Sequence, residues 1–410
     1  MKRIIPILCK AATPIAIAIA IAIAIGAVTA APALAAEPEN TLVLSFSEIE
    51  GLVTKGNLAI RNNDTTIINL SNSTDVDEMI FALSSSYNSL DAMAREARAL
   101  QRQIMNSIET GEPDPVREGL ILALKSDISA YERDMAQILA QLDQLFESPR
   151  PTADRAIAQL GNANKLIVSG AESLFMGCHA LTRRLEQSNG SLKALASDIR
   201  VMELRHSRGL ITERALLGAK SEYAGLELGV KALENDLKSL HGQINLILGR
   251  DQAAPLQIGA LPAARRGFLK AADKEKDLLA AKNNNHLMTI AKIDIAEQSR
   301  QSSITAKRLE AIAKNNLDSE AREVELRYDK LAKAIEEHEA QLALAENRLA
   351  LSRRVMEETA KRHELGIAPR IALEQAEGAV HAQTITVKAA DAELFAAIRG
   401  YEWLLRGVNA

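Results

Sequence analysis

The chain has 410 residues, of which 25% are charged and 3% aromatic, with one tryptophan and a formal net charge of −4. So few aromatic residues argue against an ordinary aromatic-rich core and favour long helices packed through Leu, Ile and Ala. Residues 1–35 carry three positive and no negative charges, so their removal lowers the net charge from −4 by 3 to −7. This excess of negative charge argues against a nucleic-acid partner, whose phosphates require a basic face.

The N-terminus has the pattern of a secretory signal peptide, which we assign to residues 1–35. Three basic residues flank the start of an apolar run from Ile15 to Val28, and Ala33-Leu34-Ala35 fits a small-residue cleavage site. An uncleaved membrane anchor is the alternative, although the run is short for a spanning helix of ~20 residues. We expect no direct membrane span after signal cleavage. The one cysteine left, Cys178, is expected to be a small core residue without a disulfide.

Helical patterns dominate the rest of the chain. Ser45 and Glu48 have the spacing of a capping box that starts a helix. Apolar residues then recur at steps of three and four from Leu83 to Ile104 and from Ile121 to Leu145. A turn at Gly111 to Pro115 separates the two runs, so the pattern predicts an antiparallel coiled-coil hairpin.

The next predicted helix begins near Ala153 and runs towards a bend at Gly209. Pro149-Arg150-Pro151 is expected to end the preceding arm, and Thr152 to cap the new helix. Asn189-Gly190 is a candidate interruption of this helix.

The second half begins after a linker that runs from Pro255 to Pro262. One helix is predicted to end in a tight turn at Asn315 to Asp318. The returning helix, with apolar residues from Val324 to Leu349, leads to a bend at Gly366, and a last helix runs to about Leu405.

Two segments that lie 157 residues apart are alike. Arg205 to Thr212 and Arg362 to Pro369 each contain an Arg-His pair, then a glycine and a branched apolar residue. Each segment lies between two long helical patterns. A period of this length is too long for a small solenoid repeat and indicates a duplicated half-protein.

The two halves differ in length by one insertion. The interval from Lys55 to Gly209 exceeds the interval from Lys282 to Gly366 by 70 residues, which is close to the length of the predicted hairpin with its flanks. We therefore predict a first helical repeat at 36–254, with a hairpin inserted at about 80–150, and a second repeat at 255–410.

These features together resemble the TolC-like outer membrane efflux protein family. Each half in that family begins with a Leu-Ser/Thr-Leu-x-Glu-Ala type segment and an Asn-rich turn, here Leu44 to Ile49 and then Asn57. Each half also has a Gly-Leu-x-Ser/Thr turn before a helix that ends near Leu-Leu-Gly, here Arg208 to Thr212 and then Leu248-Gly249. Leu365 to Pro369 begins the matching segment in the second half, and Gly170 to Phe175 resembles the start of the family's descending helix.

The resemblance implies an all-α, elongated fold of antiparallel long-helix and coiled-coil hairpins, assembled as a homotrimer around a hollow tunnel. It also implies an exported protein of the cell envelope, periplasmic or associated with the outer membrane. In the family the turns at the tunnel tip dock a membrane-fusion adaptor, which couples to an inner-membrane pump. Carried over residue by residue, the adaptor contacts are Gly209, Leu210, Ile211, Thr212, Gly366, Ile367, Ala368 and Pro369.

The sequence departs from the family where each half would carry two membrane strands. A spanning strand needs ~9–11 alternating residues. The second half offers only Asn315 to Asp318 at that place, and the first half offers the predicted hairpin. We therefore expect a TolC-like helical fold without the membrane β-barrel.

Two functions remain open on the sequence: a conduit of an efflux or secretion assembly, and a non-transporting coiled-coil spacer or tether of the envelope. The glycine turns could also be plain helix ends. We find no nucleophile–base pair and no phosphate loop, so neither an enzyme nor a cofactor is expected. Glu336-Glu337-His338-Glu339 lacks the second histidine that a helical zinc site needs, so no metal is expected. His206 and His363, beside arginines, are expected to be solvated.

Overall fold

The computed structural model describes residues 41–72, 76–108, 115–145 and 149–408. The chain divides into two compact units, residues 1–42 and 43–410, and the helices of the described residues all belong to the second. The predicted signal peptide and most of the predicted hairpin turn, residues 111–114, lie outside the described residues.

The described part of the chain is helical, as predicted. Two short strands, β1 (Leu42–Leu44) and β2 (Leu256–Ile258), form a two-stranded sheet. The α-helices in chain order are α1 (Ile49–Gly56), α2 (Leu58–Asn72), α3 (Val76–Ile108), α4 (Pro115–Gln144), α5 (Pro149–Ser207), α6 (Glu213–Ile247), α7 (Lys274–Asn284), α8 (His286–Gln298), α9 (Ile304–Glu364) and α10 (Arg370–Leu405).

The longest helices form two antiparallel helical pairs, which we call the two coils. Helix α5 packs along α6, and α9 packs along α10. At 59 and 61 residues, α5 and α9 are each about 90 Å long at ~1.5 Å per residue. Among the described helices, none is long and apolar enough to cross a membrane.

The predicted hairpin is present as α3 and α4, which pack against each other. The apolar seam is largely buried, including Leu83, Leu90 and Ile138. The hairpin does not stand free, because its seam joins one core with α5, in which Leu160 and Ala163 are also buried. Burial of this shared apolar surface is the main force that holds the hairpin along α5.

Helix α5 begins earlier than the sequence indicated. The predicted cap, Thr152, lies inside the first turns and is fully buried, and the helix starts at Pro149. Proline suits the first turn of a helix because the N–H groups there have no partner within the helix. The predicted interruption at Asn189-Gly190 is also wrong, since α5 is continuous to Ser207.

The turn of the second half was predicted at the wrong place. Asn315 to Asp318 lie within α9, and the chain turns instead between Gln298 and Ile304. Ser303 sets the start of α9, because its side chain accepts a hydrogen bond from the N–H of Ala306 at 3.0 Å. Asn315 and Asn316 face solvent, where a helix tolerates them at small cost.

Both halves close with the same backbone motif. At the end of α6, the N–H of Gly249 donates to the carbonyl of Leu246, and the N–H of Arg250 donates to the carbonyl of Asn245. After α10, the N–H groups of Gly407 and Val408 donate in the same way to the carbonyls of Leu404 and Trp403. The side-chain amides that bind the ends of these helices also match. Asn57 Nδ2 donates to the carbonyl of Ile247 at 2.9 Å, and Asn284 Nδ2 donates to that of Leu405 at 2.7 Å.

Two local predictions from the sequence are confirmed. Ser45 and Glu48 form the capping box, which starts a short 3₁₀ turn that leads into α1. Cys178 is a free, buried residue of α5. Burial raises the pKa of its thiol to about 12, so it stays protonated and unreactive at neutral pH.

Candidate functional site

The first tip turn joins α5 to α6. The N–H of Gly209 donates to the carbonyl of His206 at 2.8 Å, and that of Leu210 donates to Arg205 at 2.9 Å. This is the Schellman arrangement, in which a residue with positive φ ends the helix, and Gly209 has φ of 70°. Thr212 then caps α6, since its side chain accepts from the N–H of Ala215.

The second tip turn joins α9 to α10 and repeats this geometry. The N–H of Gly366, with φ of 68°, donates to His363 at 2.9 Å, and that of Ile367 donates to Arg362 at 2.8 Å. Pro369 is the N-cap of α10. The prediction that His363 is simply solvated is wrong, because its Nδ1 lies 2.9 Å from the carbonyl oxygen of Ala368 and the ring is half-buried.

Both turns present large apolar side chains to solvent. Leu210 is 68% exposed, Ile367 66% and Leu365 74%. In a Schellman motif the apolar residue after the glycine usually packs back on the helix, so its exposure here at both tips is unusual. Apolar surface is therefore exposed at both tips.

The predicted tip residues therefore fall into two separate sets. Gly209 to Thr212 form the first turn, and Gly366 to Pro369 form the second. Within the described part of the chain, the hydrogen bonds and ion pairs that join the two halves lie elsewhere, including those between Glu172 and Arg399. The two turns thus share one backbone geometry, and no polar contact joins them in the described part of the chain.

A buried ion pair joins the two coils at a point that the sequence did not reveal. Glu172 lies inside α5, so Gly170 to Phe175 is not a helix start. Its carboxylate accepts from Arg399 at 2.7 and 2.6 Å and from the indole N–H of Trp403 at 2.8 Å. The only signal of this pair in the sequence is a single glutamate in an apolar helical segment. That signal does not indicate which residue binds the glutamate.

A second polar layer fixes the hairpin and α5 to α8. Arg155 of α5 forms ion pairs with Asp294, at 2.7 Å, and with Glu297. On the hairpin, the buried carboxylate of Asp134 accepts from the amide of Asn162. Asp134 thus joins the hairpin to α5, and Arg155 joins α5 to α8.

His338 and its neighbours belong to no metal-binding cluster in the described residues. No group of three or more His, Cys, Asp or Glu side chains there could hold a metal ion. In Glu336 to Glu339, His338 Nδ1 lies 3.2 Å from Gln341 Oε1 and 3.7 Å from a carboxylate oxygen of Glu393. This histidine joins α9 to the side of α10.

Comparison with solved structures finds a similar fold in two outer membrane proteins. The outer membrane protein VceC from Vibrio cholerae is 10% identical, with 89% of this chain and 97% of that chain covered and a TM-score of 0.52. The outer-membrane channel OprN is 14% identical, with 88% and 90% covered and a TM-score of 0.50. The sequence matches no protein-family model and none of the curated proteins. At this identity the likeness concerns the fold, and the chain has the helical fold of these outer membrane proteins.

Proposed function

We propose that the protein is a TolC-like envelope channel component of an efflux or secretion assembly, which docks an adaptor through its two tip turns. The observation that carries this proposal is the pair of matched Schellman turns, each of which presents an exposed apolar residue, Leu210 or Ile367, at the end of a long coil. A partner that binds in two copies needs two similar surfaces, and the two tip turns provide them. The resemblance of the fold to an outer-membrane channel supports the same function.

The assembly we propose is a homotrimer, exported to the cell envelope. Two helices of the bundle expose different apolar faces: α2 exposes Leu58 and Ile68, and the first turns of α9 expose Ile304, Leu309 and Ile312. Helix α2 packs on α5, while α8 contacts both α5 and α9. Because the two faces differ, a contact between α2 of one copy and α9 of the next is heterologous. Such contacts form a closed ring when the rotation from copy to copy closes, and we propose that it closes here after three copies.

The trimer is tested by light scattering and particle images of the purified mature protein. We expect a trimer with a central channel. We expect Ile312→Glu to dissociate it, because a charge would be buried at the contact, whereas Met105→Glu on the exposed side of the hairpin leaves it intact. A stable monomer or a solid rod would reject the conduit and favour the spacer or tether.

The docking surface is tested with a co-expressed membrane-fusion adaptor, the kind of partner that couples to an inner-membrane pump. Gly366→Asp should abolish its co-purification, because the turn loses its geometry and gains a charge. Gly378→Asp is the matched control, since this exposed glycine lies inside α10. Equal binding of the adaptor by both variants and the unchanged protein would reject the tip as the docking site.

A further inference from the structure

A cavity of about 370 Å³ lies where the two halves meet. Residues of α1, α2 and α5 line it from the first half, and residues of α7 and α10 with its C-cap line it from the second. Its floor includes the buried side chains of Ile60, Val168 and Trp403, while Thr54 and Asn284 lie at its exposed rim. An apolar floor with a polar rim suits a small ligand that has both kinds of surface.

The charges of the wall sum to zero but are not all paired. Arg406 and Glu50 form an ion pair at 3.1 Å and neutralise each other. Lys165 and Asp64 take part in no ion pair among the described residues. Lys165 Nζ donates only to the main-chain carbonyl of Arg406, at 2.7 Å, and Asp64 accepts from the neutral amide of Asn164, at 2.8 Å.

Lys165 is a cation without a counter-charge in a half-buried place. Burial lowers the pKa of its ammonium, and the nearby Arg406 guanidinium lowers it further. An anionic group in the cavity would stabilise this ammonium. A plain anion, however, would leave the cavity with a net negative charge beside Asp64, so a ligand with one charge of each sign fits better.

We propose that this cavity binds a small zwitterion with an apolar side chain, of the class of an apolar amino acid or dipeptide. Its carboxylate binds Lys165, its ammonium binds Asp64 at the rim, and its side chain lies on Ile60 and Val168. The two ends of the ligand join α5 to α2, beside the end of α10. This site is separate from the tip turns and does not rest on their proposed function.

The chain offers a direct readout, because Trp403 is its only tryptophan and lines the cavity. We expect the fluorescence of the purified full-length mature protein to change saturably on titration with L-leucine or leucyl-leucine. Lys165→Met and Asp64→Asn should each weaken binding about tenfold, since each removes one charge-assisted hydrogen bond. Lys165→Arg keeps the positive charge and should retain binding. Retained binding in this variant would show that the loss in Lys165→Met comes from the missing charge.

Two kinds of control make the test decisive. Lys282→Met changes a lysine that is already paired with Glu325, at 2.5 Å, and should leave the affinity unchanged. Two analogues of leucine each lack one charge: 4-methylpentanoate lacks the ammonium, and isopentylamine lacks the carboxylate. Each should bind about tenfold more weakly than leucine. The proposal is overturned if no saturable change is seen, or if Lys165→Met binds leucine as tightly as the unchanged protein does. It is also overturned if 4-methylpentanoate binds as tightly as leucine.

Discussion

Arg399 of α10 binds both carboxylate oxygens of Glu172 of α5, and this pair joins the last helix of the second half to the long helix of the first. Glu172 is 2% exposed, and Arg399 also donates to Glu402 at 2.7 Å. The bidentate geometry and the extra hydrogen bonds offset the cost of removing these charges from water. The relative position of the two coils therefore depends on a few buried polar atoms.

The first prediction concerns this pair. Arg399→Met leaves the Glu172 carboxylate buried without its cation, so we expect the free energy of unfolding to fall by about 3 kcal/mol, measured by urea denaturation at fixed protein concentration. The double variant Glu172→Met with Arg399→Met should lose less than the single one. The control is Lys220→Met, which removes an exposed pair with Glu203 and should cost less than about 1 kcal/mol. Equal costs for the buried and the exposed pair would contradict the assignment.

The second prediction concerns the glycines of the tips. A Cβ at Gly366 would meet no atom within 4 Å, so only its φ of 68° opposes a side chain. We expect Gly366→Ala to destabilise the protein by about 1 kcal/mol, and Gly209→Ala to act alike. A Cβ at Gly378 would also meet no atom within 4 Å, but this glycine lies inside a helix, so Gly378→Ala should stabilise the protein by about 0.5 kcal/mol. Thermal denaturation followed by circular dichroism checks all three, and a stabilising Gly366→Ala would refute the turn geometry.

The third prediction separates two histidines that the sequence makes equivalent. His363 bonds to the carbonyl of Ala368, whereas the side chain of His206 makes no hydrogen bond in the described part of the chain. We expect His363→Ala to cost about 1 kcal/mol and His206→Ala to cost little. Hydrogen exchange of the backbone amides should also increase at Ala368 in the first variant only. Equal effects at the two tips would show that the bond does not hold the turn.

The fourth prediction concerns pH and the hairpin. Burial raises the pKa of Asp127 in α4 from 3.8 to about 6. The folded state therefore binds the proton more tightly than the unfolded state, so this residue lowers stability as pH rises from about 4 through 6. Burial also raises the pKa of Glu96 on α3, which acts in the same direction.

Asp127→Asn tests this pH dependence. The amide removes the cost of burying a charge, so we expect the variant to be more stable than the unchanged protein at pH 7 by on the order of 2 kcal/mol. The difference should become small at pH 4, where Asp127 is largely protonated. Asp198→Asn, at an exposed position of α5, is the matched control and should not alter the slope. An unchanged slope in Asp127→Asn would show that the carboxyl is not desolvated.

The sequence by itself determined most of the local structure. Apolar spacing predicted the hairpin of α3 and α4, because a helix that must bury one face shows a period near 3.6 residues wherever it is packed. The glycines at 209 and 366 marked the ends of α5 and α9, since positive φ is a local requirement of the backbone. The likeness of the two tip turns was also visible in the sequence, because a Schellman turn needs a residue with positive φ at the same place in each.

Other features depended on the tertiary structure. Asn315 to Asp318 looked like a turn, but packing of α9 against α8 and α10 and the cap at Ser303 outweigh such weak local preferences. Nothing in the sequence paired Glu172 with Arg399, or placed Lys165 and Asp64 across one cavity. Such partners lie far apart along the chain, and only the packed helices bring them together. Helical periodicity depends on residues that are close together in the sequence, so the sequence alone reveals it. Contacts between distant residues decide the position of the hairpin along α5 and the cavity between the halves, and no local pattern contains those contacts.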